Sequence, residues 1–220
     1  LYPETNTLIG EFEGRDGSTE VILFPVMEAV PQKLEYDNPF DEIRIFKPYA
    51  GVQIPEAFAV SDTQRRRQQH RLSGWRKRLY IARKLRARHP RGLGFFDFIL
   101  GHTVGKCAVR VNSDVETIKN HFPVPNKGAR LPLEVAGDVW LLHYDCLGFQ
   151  EWREKWARRL GSASRDTPAF SDKRKRQLDK FRRVWNSRDD DRLVSLYQEF
   201  YRFGLFEKQL FTAMGLVKTL

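Results

Sequence analysis

Cysteine is scarce in this sequence: the 220 residues hold two, Cys107 and Cys146. Two thiols build no disulfide framework, and neither sits in the paired spacing that grips zinc. A reducing, cytoplasmic setting is therefore the default expectation. Long apolar runs are also missing. The longest, residues 21–27, is broken by Pro25 and falls far short of the roughly 20 apolar residues that cross a bilayer as a helix. The sequence has no nucleophile elbow, no zinc-protease helix and no dinucleotide glycine fingerprint. It has no internal repeat either. It opens on Leu1 rather than Met, with no charged and apolar leader, and reads as the interior of a longer protein. Finally, no acidic residue occurs between Asp62 and Asp97.

What is present suffices for a folded core. Hydrophobic residues make up 41% and aromatics 13%, which excludes wholesale disorder. The length suits one domain, or one domain with an appendage. The net charge of +10 is local: twelve Lys and Arg lie between Arg65 and Arg91, and without them 26 basic residues face 28 acidic ones. The chain is a near-neutral body with one basic strip. Such a strip gathers anions, whether nucleotide phosphates, acidic lipid, acidic glycan or nucleic acid. Nucleic acid is the least favoured of these, because no nucleic-acid motif accompanies the charge. A solvated helix and loop is the plain reading.

Residue patterning predicts a strand-rich front and a helical tail. A short helix is expected near residues 7–12, and a buried strand over 20–27. Residues 31–55 are broken by prolines, with a short extended piece at 43–46. The basic segment 64–91 is partly helical over 64–89, with Trp75, Leu79 and Ile81 as anchors. Strands are expected at 103–111 and 133–145. A helix at 149–160 follows, with Trp152, Trp156 and Leu160 on one stripe. Helices then fill 173–186, 190–203 and 206–217. The expected class is α/β, with a first domain over 1–170 and a helical extension over 171–220.

Chemistry concentrates in a few places. His70 and His89 belong to the basic strip and read as solvated. Gly101-His102-Thr103-Val104-Gly105-Lys106 has two glycines and a lysine, but not the Walker spacing; glycines of this kind commonly mark a backbone turn. His121 precedes Phe122-Pro123 in a loop. His143 ends an apolar strand and is followed by Tyr144 and Asp145. A His and an Asp at a strand end sit where open α/β sheets place their ligands, and an imidazole there is either a metal ligand or a group satisfied by the backbone. Trp152 and Trp156 read first as core residues, and only second as sugar-stacking surfaces.

The order of these segments resembles the later part of a bacterial family-2-like glycosyltransferase of the GT-A fold. Leu1-Tyr2-Pro3-Glu4-Thr5-Asn6-Thr7-Leu8 is similar to the stretch that follows that family's Asp-any-Asp-Glu motif. Ser73-Gly74-Trp75-Arg76-Lys77-Arg78-Leu79 resembles its Gly- and Arg-rich segment. Gly105-Lys106 through Val109-Arg110, then His121, then Leu141-Leu142-His143-Tyr144 and the helix Trp152 to Arg159, follow in the family's order.

The resemblance implies transfer of a sugar from a nucleotide-sugar donor to a glycan or lipid-linked acceptor. It also implies a divalent metal (Mn or Mg) in the full-length protein, with His143 and then His121 as candidate ligands. Arg76, Arg78, His102, Lys106, Trp152 and Arg153 become candidates for substrate and phosphate binding, and Asp145 for the catalytic base. Peripheral contact with an anionic membrane at the cytoplasmic face is a further expectation. The Asp-any-Asp-Glu motif would precede Leu1, so these 220 residues are expected to be inactive by themselves. Asp189-Asp190-Asp191 has the letters but lies at a helix start, where Asp caps. A basic nucleic-acid-binding protein and a non-catalytic interaction module remain as alternatives.

Overall fold

Pro25 lacks an N–H and cannot continue a sheet ladder, so the first apolar run yields two strands rather than the single one expected. The computed structural model describes residues 8–15, 17–52, 54–88, 98–100, 104–119, 121–145, 148–162 and 172–220. In chain order, α1 (Leu8–Glu13) precedes β1 (Val21–Phe24) and β2 (Val26–Ala29), which flank Pro25. Next come α2 (Pro39–Glu42), β3 (Ile45–Pro48), β4 (Phe58–Ala59) and the long α3 (Asp62–Ala87). Then follow β5 (Lys106–Val109), the pair β6 (Val115–Ile118) and β7 (Pro123–Pro125), β8 (Leu131–Val135) and β9 (Leu141–His143). The remainder is α4 (Phe149–Ser162), α5 (Asp172–Asn186), α6 (Asp190–Tyr201), α7 (Leu205–Ala213) and the short β10 (Lys218–Thr219).

The architecture is mixed α/β, with parallel and antiparallel pairings. Two compact units interleave along the chain: Leu1–Glu28, Lys47–Arg83 and Gly101–His143 form one, and Ala29–Phe46, Lys84–Leu100 and Tyr144–Leu220 the other.

In the first unit β1 is central. It pairs parallel with β8, Val21 against Leu133, and antiparallel with β5, Val21 against Val109. Phe58 of β4 adds to β8 beside Leu131. Val21, Leu23, Phe58, Leu131, Leu133 and Val135 close one apolar cluster. The strand expected over 133–145 is broken at Ala136-Gly137-Asp138, just as the first is broken at Pro25. The two breaks match: β1 pairs with β8, and beyond the breaks Val26 and Glu28 of β2 pair with Leu141 and His143 of β9.

Glycine at position 105 has a steric reason. A Cβ there would stand 2.1 Å from the Phe24 carbonyl oxygen and 2.8 Å from Leu23 Cδ1. The backbone therefore approaches β1 as only glycine permits.

One continuous helix, α3, carries the basic strip. Trp75, Leu79 and Ala82 form its buried line. Trp75 meets Tyr49 edge-on at 5.3 Å, and Leu72 packs where any side chain on Gly51 would clash. Ile81, read from sequence as an anchor, is 38% exposed instead. Residues 75, 79 and 82 share a face at helical spacing, and 81 does not.

In the second unit the core is aromatic. Trp152 and Trp156 of α4, Phe181 of α5, and Tyr197 and Phe200 of α6 are all buried in one cluster. The α4 helix, grouped by the sequence reading with the preceding domain, thus packs with the helices of the expected extension. Asp189 caps α6 by accepting from the Arg192 N–H at 3.0 Å, the role its Asp run predicts. The last expected helix stops early: α7 ends before Gly215, whose φ is +61°. The chain then extends so that Lys218 pairs with Phe46 of β3. No helix among the described residues is long and apolar enough to cross a membrane.

Candidate functional site

The first unit carries two of the expected histidines. His143 closes β9, half-buried, with Glu28 as its register partner on β2. Glu28 and Lys47 form an ion pair with 2% and 1% of their side chains exposed. Sequence reading missed this pair, although its signal is present: one acid inside Val26-Met27-Glu28-Ala29 and one base inside Ile45-Phe46-Lys47-Pro48. Opposite charges that each interrupt an apolar run are expected to be buried together.

His121 lies after the β6 strand. Its Nδ1 is 3.1 Å from the Gly105 carbonyl oxygen. A carbonyl only accepts, so Nδ1 carries the proton and donates, which makes Nε2 the basic nitrogen. The ring lines a groove of about 680 Å³ together with Pro55, Phe58, Ile118, Phe122 and Pro123. Phe58 and Phe122 pack with centroids 5.4 Å apart. The walls are apolar, and Lys119 stands at the edge. A second, polar cavity of about 280 Å³ lies between Thr19, Ser61, Gln64, Arg67 and Glu134. Glu134 accepts there from Thr19 Oγ1 at 2.8 Å and from Arg15 Nη1 at 2.7 Å.

The phosphate-binding candidates do not converge. Arg76 and Arg78 are both exposed on α3, but residues two apart on a helix point to different sides. Arg78 Nε donates back to the Gly74 carbonyl at 3.4 Å. Lys106 opens β5 as Phe24's partner, with its side chain exposed. His102 lies outside the described residues.

The second unit holds the other candidates, and the packing reassigns them. Trp152 is 0% exposed. Trp156, Phe181 and Tyr197 stand 6.1, 5.3 and 5.5 Å from its ring, leaving no ring face for a sugar. Arg153 pairs with Asp190 at 3.2 Å and lies 5.8 Å over the Trp185 ring, so it ties α4 to its neighbours.

Asp145 is 8% exposed and pairs with Lys155 Nζ at 2.9 Å, while Tyr201 OH donates to its other oxygen at 3.2 Å. Burial alone would raise its pKa, but the charge and hydrogen bond of Lys155, with the charges of Arg174 and Arg159, outweigh burial and lower it to about 2. A carboxylate held so acidic is a poor general base near neutral pH, so the catalytic assignment of Asp145 does not fit this geometry. Its role is to hold α4 to the segment that precedes it.

Because the folded-state pKa lies below the ordinary 3.8, the pair stabilises the fold above about pH 4. That contribution is lost as pH falls from about 4 through about 2. Asp145→Asn is expected to cost roughly 2 kcal/mol at pH 7, with the difference from wild type shrinking below pH 4. Urea unfolding at pH 7 and at about pH 2.5, where most of the contribution is gone, checks this; an equal cost at both would refute the ion-pair account.

The fit to a metal is incomplete. Among the described residues no three His, Cys, Asp or Glu side chains are grouped to hold an ion. His143 and His121 therefore form no self-contained metal centre, and no reaction step is derived through one. Comparison with protein-family models, curated proteins and solved structures gives no match for this chain.

Proposed function

We propose that this chain serves in sugar transfer, as part of a family-2-like glycosyltransferase of the GT-A type that moves a sugar from a nucleotide-sugar donor to a glycan or lipid-linked acceptor. One observation carries the reading: β9 runs parallel to β2 and ends at His143. Open α/β sheets bind ligands beyond the carboxyl ends of their parallel strands, and the family's order of segments places its late histidine at such a strand end.

In such a transfer the acceptor oxygen bonds to the anomeric carbon as the nucleoside diphosphate leaves, and a base takes the acceptor's proton. His121 suits the base better than Asp145. Its donation to the Gly105 carbonyl fixes a tautomer with Nε2 as proton acceptor, and it lines an apolar groove wide enough to admit an acceptor. His143 keeps the ligand role that the resemblance implies, towards an ion supplied by an Asp-any-Asp motif outside these residues.

The test uses the longest reading frame that contains these residues, assayed for transfer from labelled nucleotide sugars to lipid and glycan acceptors. His143→Ala is expected to lower divalent-dependent incorporation about tenfold to a hundredfold, with circular dichroism and unfolding unchanged. Wild-type turnover in that variant would remove His143 from the site. Absence of incorporation from every donor would overturn the reading.

A further inference from the structure

We propose that α3 docks on an anionic lipid bilayer surface through the side opposite its buried line, a contact that stands independently of the transferase reading. Trp75, Leu79 and Ala82 face inward, so at 100° per residue Arg66, Lys77 and Lys84 fall on the far side. All three are exposed. Between Lys77 and Lys84 the helix presents Tyr80 and Ile81, which are 62% and 38% exposed. No acidic residue follows Asp62 in the helix, so nothing on α3 itself offsets this charge beyond its first turn.

The combination selects the partner. A basic face alone suits any polyanion. Exposed aliphatic and aromatic side chains set within the basic face suit a bilayer, where cations meet lipid phosphates and the apolar groups enter the headgroup boundary. Against a nucleic acid backbone those same side chains would gain nothing, since phosphate contacts come from cations and polar donors. The helix is far too polar to insert. At 26 residues it is roughly 39 Å long, so it would lie along the surface and touch several headgroups at once.

The 220-residue chain is tested by flotation with vesicles of phosphatidylcholine alone and with added phosphatidylglycerol, at low and high salt. Flotation is expected only with phosphatidylglycerol, and high salt should abolish it. Arg66→Glu with Lys77→Glu should weaken partition at least about tenfold, with thermal unfolding unchanged. Lys119→Glu with Lys127→Glu makes the same charge change at exposed sites off the helix and should weaken it far less. Tyr80→Ser with Ile81→Ser should weaken vesicle binding while leaving heparin binding intact. If the Glu pair unfolds the chain, Arg66→Gln with Lys77→Gln repeats the test with a smaller expected loss.

The proposal is overturned by equal flotation on neutral vesicles or by none on acidic ones. It is also overturned if the control pair weakens binding as much as the α3 pair, if the Ser pair leaves vesicle binding unchanged, or if duplex DNA displaces the vesicles at equal phosphate.

Discussion

Trp152→Ala is expected to lower the unfolding free energy by about 3–5 kcal/mol, the usual cost of emptying a buried aromatic site. The indole is 0% exposed and its neighbours cannot collapse inward easily. Phe181 meets it edge-on at 5.3 Å from α5, Tyr197 at 5.5 Å from α6, and Trp156 follows one turn along α4. Each of those side chains is itself fixed by another ring: Phe181 by Trp185 at 5.4 Å, Tyr197 by Tyr201 at 5.3 Å and Trp156 by Phe200 at 5.8 Å. Interiors packed to this density relax only in part when volume is lost. Trp152→Phe keeps a ring in place and should cost much less. Urea unfolding followed by far-UV circular dichroism compares the two, and a loss below about 1 kcal/mol for Trp152→Ala would mean that the cluster is not the core of its unit.

Lys47→Met carries a comparable expected loss for a different reason. Its ammonium and the Glu28 carboxylate are taken out of water together, and removing one partner leaves the other charged and buried, at about 3–5 kcal/mol. Replacing both, as Glu28→Leu with Lys47→Met, should recover most of that loss, because a buried pair contributes little net stability over apolar neighbours. A double-mutant cycle in urea measures the coupling directly. Losses that simply add would exclude the pair as a unit. Since Glu28 is the register partner of His143, the Lys47→Met chain also asks whether the strand end holds its position when the charge beneath it is uncompensated.

The legible part of the fold was the part written in periodicity. The stripe Trp152, Trp156 and Leu160, and the run Leu193, Leu196, Tyr197 and Phe200, repeat at helical spacing, and α4 and α6 form there. The basic strip reads only as partly helical because its apolar residues are few. Trp75, Leu79 and Ala82 suffice to seat it, while Ile81 shows that an apolar residue off the stripe anchors nothing. Strand limits were harder, because Pro25 and Gly137 mark turns without saying which strands lie on either side of them. The sequence carries the last helix on to Val217, because Leu216-Val217 continues the apolar pattern past the glycine that ends α7. Of the site, the positions of His143 and His121 could be read as a strand end and a loop. The partners of Asp145 could not, since Lys155 and Tyr201 reach it only through helix packing.

The parallel pairings have a consequence for the order of assembly during synthesis. Val21 needs Leu133, and Val26 needs Leu141, so although β1 can meet β5 earlier, the parallel pairings wait until residues 131–143 have left the ribosome. Contacts this distant along the chain make folding slow. The α3 helix, whose backbone bonds are local, can form well before that sheet exists, as can the α4–α6 cluster once its own residues emerge. Until then the strand Val21–Phe24, wholly apolar and buried at the end, keeps its β8 edge open, and this is where misassembly of the nascent chain would begin.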